Sequence, residues 1–223
     1  MAAARLDLIQ WLIFEEEYYR AGAPGRVNQN GIFLLGPTLI EFGTHEQKQR
    51  FLPKMASGEE IWAQAWSEPM AGSDLAGVRA TATRDGDEYI LNGHKIWSSR
   101  AVFADWAFGL FREPGSERHK GMSLIFFPLD APGVTVNAIK KINGHVGFAE
   151  IFLENVRVPA FNRLGDEGPG LAYLHGDRRV RAWPDAALTR PLSGGGEEAR
   201  GNSGPPTRKR PTPRSKPMSC ART

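Results

Sequence analysis

An α+β fold, helical first and β-rich after, is what the patterning of this 223-residue chain predicts. Apolar residues recur at helical spacing as far as about Gly58, and from Ile61 the period drops to two. Two dipeptides, Asp85-Gly86 and Asn92-Gly93, then punctuate the alternating stretch as hairpin turns do, because type I′ turns need positive φ at both central positions. The expected organisation is a helical region over 1–61, an antiparallel β-barrel or sandwich over 62–170, and a disordered basic tail over 171–223.

Each element has a local reason. In the first helix Ile9, Leu12, Ile13 and Glu16 follow i, i+3, i+4, i+7 spacing, leaving Glu15 and Glu17 for solvent. The run AGAPG at 21–25 breaks it. GIFLLGPTLIEFG reads as a second, largely buried helix with a kink at Pro37. Thr44 followed by Gln47 is a capping box, so a third helix starts there and ends near ASGEE. In the β region Val78, Ala80 and Ala82 alternate with Arg79, Thr81 and Thr83. DWAFGLF, MSLIFF, GVTV and AEIFLENVRV supply further strands at spacings that suit an antiparallel barrel or sandwich.

Composition narrows the function classes. No run approaches the roughly 20 apolar residues of a membrane span, and MAAARLDLIQWLIFEEE does not read as a signal peptide, since Asp7 interrupts it. A cytoplasmic location and no membrane partner are expected. Cys220 is the single cysteine, and the five histidines are too scattered for a zinc site, so no metal is expected. The sequence pI of about 9.1 misleads as a sign of nucleic-acid binding. Residues 171–223 hold 11 Lys and Arg against 4 Asp and Glu, leaving 17 basic and 21 acidic residues in 1–170. That tail has no Ile and no Phe, too little apolar surface to offset the entropy of ordering it.

Single residues leave alternatives open. Trp97 reads as a core aromatic or as a lid over a ligand ring. Ser67 reads as a strand-end cap or a donor, Ser73 with Asp74 as a plain turn or an anion contact. Arg112, Arg118 and Lys120 read as a solvated loop. The order of the motifs adds more. FGTHEQKQRFLPKMASGEEIWAQAWSEPMAGSDLAGVRATA resembles the acyl-CoA dehydrogenase family, and DGDEYILNGHKIWSSRAVFADWAFGLFR, PGVTV and FLENVRVP continue the likeness in order over about residues 8–170. WAQAWSEP and KIWSS resemble bacterial members acting on long or unusual acyl groups.

The resemblance implies an N-terminal helical domain, a middle β-barrel and a C-terminal four-helix bundle, with FAD held extended between them. It implies α,β-dehydrogenation of an acyl-CoA thioester, as in fatty acid β-oxidation, with an electron-transferring flavoprotein or else oxygen as acceptor, in a homo- or hetero-oligomer. By the same resemblance Gln64, Ala65, Trp66, Ser67 and Gly72 lie along the flavin, with Ser67 donating to its polar edge. Ser73 contacts the acyl-CoA or a cofactor phosphate, Trp97 covers the ring face, Ser98 lies beside it and Ser99 sits at N5. Glu68 and Asp74 fix the loop. Two positions depart from the family pattern: Met70, where a small or polar residue is common, and Arg100, where Gly or Asn often follows the hydroxyl. The family's base is a glutamate of the C-terminal bundle. Neither Glu197 nor Glu198, in a Gly-rich run, is assigned to that role, so no catalytic residue is named. The expected chain is a truncated member, inactive alone, whose composition beyond Gly170 fits a change of reading frame in a GC-rich gene, and whose family helices before LIQWL are incomplete. The alternative is a non-catalytic β-domain binding module with a basic, anion- or nucleic-acid-binding tail.

Overall fold

Thr44 and Gln47 close the expected capping box in both directions, Gln47 N–H to Thr44 Oγ1 at 3.1 Å and Thr44 N–H to Gln47 Oε1 at 3.0 Å. The helix they start, α3 (His45–Ser57), ends at Gly58 in the left-handed region, φ 75°. The computed structural model describes residues 8–116, 118 and 120–166; the expectations for the tail, and for Glu197 and Glu198, lie outside them. Ahead of α3 run α1 (Leu8–Arg20), a π-helical turn (Asn30–Leu35) and α2 (Gly36–Phe42). Where a kink was expected at Pro37, the π-helical turn gives way to the α-helix, with Pro37 at the second position of α2. Thr38 Oγ1 donates to Leu34 O at 2.9 Å. Leu35 and Leu39 are buried, while Ile32, Leu34 and Ile40 are exposed, so this segment is half rather than largely buried.

α1 corrects one expectation. Its stripe of Ile9, Leu12 and Ile13 is exposed, and the face of Trp11, Glu15 and Tyr18 is the half-buried one. The cause is Arg26, whose guanidinium pairs with Glu15 at 2.8 Å and lies 4.3 Å from the Tyr18 ring centroid and 5.6 Å from those of Trp11 and Phe33. Glu15 therefore turns inward, away from the solvent position its spacing suggests.

Eight strands follow among the described residues: β1 (Trp62–Ala65), β2 (Thr81–Asp85), β3 (Glu88–Ser99), β4 (Trp106–Arg112), β5 (Met122–Pro128), β6 (Val134–Lys140), β7 (Val146–Pro159) and β8 (Arg163–Leu164). The sheet order is β6-β7-β3-β2-β4-β5-β8, with β1 pairing β4. Most neighbours are antiparallel, as expected. Two are not: β1 runs parallel to β4, and β2 meets β4 in parallel at Thr81 and Arg112. The order is an open path, so among the described residues the sheet does not close into a barrel.

The first hairpin turn stands where expected, with Asp85 opposite Glu88 and Gly86 at φ 60°. The second does not. Asn92 and Gly93 lie inside the continuous β3, at a bulge opposite β7. A Cβ on Gly93 would lie 2.4 Å from Ala80 Cβ, so glycine is there for close approach between strands rather than for reversal. Asn92 instead pairs side by side with Asn155, itself at φ 52°.

Helices and sheet share one core. Phe51 of α3 meets Trp62, Trp106 and Phe126 edge-on at 5.5, 5.6 and 5.4 Å, and Trp62 stacks on Trp106 across the parallel pair at 5.5 Å. The buried amide of Asn28 joins them by polar bonds, donating to Met55 O at 2.8 Å and Glu60 O at 2.9 Å and accepting from Trp62 N–H at 2.9 Å. Among the described residues no helix is long and apolar enough to cross a membrane.

Candidate functional site

The end of β1 and the end of β3 come together. Ser67, leaving β1, accepts through its carbonyl from Ile96 N–H at 2.9 Å, which sets it one residue before Trp97 on β3. Gln64 and Ala65 lie opposite Phe108 and Gly109 of β4. A Cβ on Gly109 would sit 2.9 Å from the Phe111 ring and 3.0 Å from Ala65 O, so glycine keeps that space clear beside β1. Trp66 and Ser67 are half-buried.

The turn after Ser67 is held by one carboxylate. Glu68 accepts from Arg79 N–H at 2.7 Å, Ala80 N–H at 2.9 Å and Lys95 Nζ at 2.8 Å. Its backbone pairs with Ala71 in both directions, at 2.8 and 3.1 Å, closing a tip of Pro69 and Met70. Gly72 and Ser73 follow, exposed, before a 3₁₀ turn at Leu75–Gly77. So Ser67 stands beside the Trp97–Ser99 segment, whereas Gly72 and Ser73 follow the Glu68 turn on the solvent side. Met70 is exposed and outside the left-handed region.

Lys95 is the side chain sequence reasoning missed. Fully buried, it also donates to Leu110 O at 2.6 Å and Trp66 O at 3.4 Å. Desolvation pulls its pKa down to about 8, against the raising pull of Glu68. The signal was present in the sequence, because Lys95 shares strand parity with the buried Tyr89 and Leu91.

A bulge re-aims the end of β3. Lys95 faces Ile151 and Ser98 faces Ala149, so Ile96 and Trp97 together oppose Glu150. Trp97, at φ 58°, is thereby turned outward and is 57% exposed, although strict alternation would bury it beside Lys95. Its ring touches Phe148 edge-on at 6.1 Å. The Ser98 side chain points inward, and its hydroxyl has no partner among the described residues. Ser99 is half-buried, and its carbonyl accepts from Asn30 Nδ2 at 3.2 Å. Arg100 follows at φ 69°, so the departure from Gly or Asn there falls on a left-handed residue. Arg112 is not the solvated side chain it was expected to be. It donates to the carbonyls of Ala76, Val78, Arg118 and Lys120, pinning the 3₁₀ turn to β4.

This arrangement lies across two family matches. A model of the acyl-CoA dehydrogenase N-terminal domain matches residues 2–59, and one of the acyl-CoA dehydrogenase middle domain matches 63–156. The chain belongs to the acyl-CoA dehydrogenase family. Within it, the acyl-CoA dehydrogenase IpdE1 of Mycobacterium tuberculosis is 49% identical over 185 residues, which cover 76% of this chain and 48% of the relative. The chain spans about half the length of the curated relatives it matches. Among solved structures, the ChsE4–ChsE5 complex from Mycobacterium tuberculosis superposes with a TM-score of 0.72 at 34% identity, over 80% of this chain and 47% of that one. A glutaryl-CoA dehydrogenase from Mycobacterium smegmatis in complex with FADH2 gives 0.55 at 35% identity, over 63% and 36%. The step from one family model to the next falls where Asn28 ties Glu60 to Trp62.

Proposed function

We propose that this chain carries the flavin-facing part of an FAD-dependent acyl-CoA dehydrogenase acting on an acyl-CoA thioester. The observation that carries the reading is Trp97: an exposed aromatic, held by a bulge in a costly backbone conformation, beside the hydroxyl-bearing Ser67 and Ser99. Exposed strain of this kind serves a ligand better than it serves a core. A bound FAD supplies the acceptor for the hydride that leaves the acyl β-carbon. With FAD bound, Trp97 would cover the ring face, Ser67 would donate to its polar edge and Ser99 would stand near its reacting end. Gln64, Ala65, Trp66 and Gly72 line the approach. Ser98, whose hydroxyl turns inward, contributes backbone, and Ser73 meets a phosphate of cofactor or substrate.

The α-proton needs a carboxylate, and none of the described residues is assigned to that role. Glu68 is the only buried carboxylate among them, and it is already engaged by three donors. We read the base as lying outside residues 8–166, and on the family resemblance we expect the chain by itself not to turn substrate over. Electrons pass on to an electron-transferring flavoprotein, and the chain works within an oligomer, a reading supported by the two differently named components of the ChsE4–ChsE5 complex. The test is spectroscopic. The purified chain should take up FAD with a shifted flavin spectrum and stay yellow under anaerobic acyl-CoA thioesters. Failure to bind FAD in titration overturns the reading, and rapid bleaching overturns the claim about the base.

A further inference from the structure

The geometry points to Arg100 as a positioning residue that lets the helical region hold the flavin-facing segment in place. The inference rests on the FAD reading above for its purpose, though not for its geometry. Arg100 takes φ 69°, a conformation that Gly or Asn adopts at lower cost. A non-glycine residue persists there when its surroundings over-determine it, and those surroundings are specific. The guanidinium donates to Val27 O at 2.9 Å and to Gln29 Oε1, both in the loop between α1 and the π-helical turn. The Arg100 amide donates to Gly147 O at 3.3 Å, and its carbonyl accepts from Phe103 N–H at 3.1 Å and Ala104 N–H at 3.0 Å. One residue earlier, Asn30 Nδ2 reaches Ser99 O at 3.2 Å.

Two adjacent residues at β3's exit, Ser99 and Arg100, are thus tied to Val27 and Gln29 of one loop in the helical part and to Asn30, the first residue of the π-helical turn. Burial lowers the Arg100 pKa by desolvation, and the two acceptors of its guanidinium are neutral. A charged donor makes the stronger, charge-assisted kind of hydrogen bond even to a neutral acceptor, and two such bonds fix its direction. The strained Trp97 sits on one side of Ser98–Ser99 and the tethered Arg100 on the other, so both ends of the pair are set before a ligand arrives. Preorganisation of this kind lowers the ordering cost of binding.

The test uses the full chain as wild type, Arg100→Gly and Arg100→Lys. Gly relieves the backbone strain and removes the side-chain ties; Lys keeps a cation that reaches one acceptor. Hydrogen exchange is read on peptides covering 97–101, with β4 as internal reference, and FAD affinity by titration. Arg100→Gly should exchange about tenfold faster at 97–101 with β4 unchanged, and bind FAD about tenfold more weakly, with Arg100→Lys between. Wild-type exchange and affinity in Arg100→Gly would overturn the assignment. Should the wild type take up no FAD, the proposed function fails, while the exchange result alone still decides for or against the tie.

Discussion

Lys95 and Glu68 meet at 2.8 Å with both side chains out of water, the amine arriving from β3 and the carboxylate from the turn after β1. A buried pair is weak evidence of net stabilisation, but breaking one leaves a stranded charge. This one joins the two segments that flank the candidate site.

Lys95→Met should therefore destabilise the protein by about 3–5 kcal/mol, because Glu68 would stay buried with only backbone donors. Urea unfolding measures it. A loss below about 1 kcal/mol would mean that the carboxylate is satisfied by Arg79 and Ala80 alone.

The same lysine gives a pH dependence with a definite sign. Burial lowers its pKa from 10.5 to about 8. Between those values the unfolded chain holds a proton that the folded chain has released, so stability from this group rises with pH across that window and is lowest below it. The stability gap between wild type and Lys95→Met should widen from about pH 8 to about pH 10. A gap that narrows would reverse the assignment.

Gly93→Ala should cost about 1–3 kcal/mol from overpacking, since the new Cβ would meet Ala80 at 2.4 Å, in addition to the strain of a side chain at φ 152°. Gly86→Ala is the comparison, with a positive φ but open space around it. Equal losses in the two variants would show that backbone conformation, not crowding, sets the cost at Gly93.

Asn28→Leu removes three bonds at once between helices and sheet. The expected loss is about 2–4 kcal/mol, from buried carbonyls and an N–H left without partners. A thermal midpoint equal to that of wild type would count against Asn28 as the junction.

Trp97→Ala should weaken FAD retention while changing unfolding free energy by less than about 1 kcal/mol, since the indole is largely exposed. Equal FAD retention in the variant would remove Trp97 from the flavin face.

Much of this was legible along the chain. The capping box of α3 and the turn at Asp85-Gly86 are local chemistry, and local chemistry reads directly. Asn92-Gly93 carries the same dipeptide signal but serves a strand crossing, which depends on Ala80 a dozen residues away. The parallel pairing of β1 with β4 left no trace, because its partner residues are 44 positions apart in sequence. At the site, the residue types around Ser67 and Trp97 were visible as motifs. The bulge that turns Trp97 outward was not, since it is a mismatch between two strands rather than a property of one. Arg26 shows the opposite error: a single cation among aromatic rings chose which face of α1 packs inward, against the apolar stripe.

The parallel pairing of β1 also orders events in time. In the described sheet, β1 has β4 as its ladder partner, Trp62 opposite Trp106. As the chain leaves the ribosome, β1 waits for β2, β3 and β4 to be made before its backbone groups have a home. The hairpin of β2 and β3 closes over a short loop and needs no such wait. Ser67 thus takes its place after Trp97 has a strand to belong to, and a chaperone or protease that meets the nascent chain early finds the WAQAWSEP stretch open.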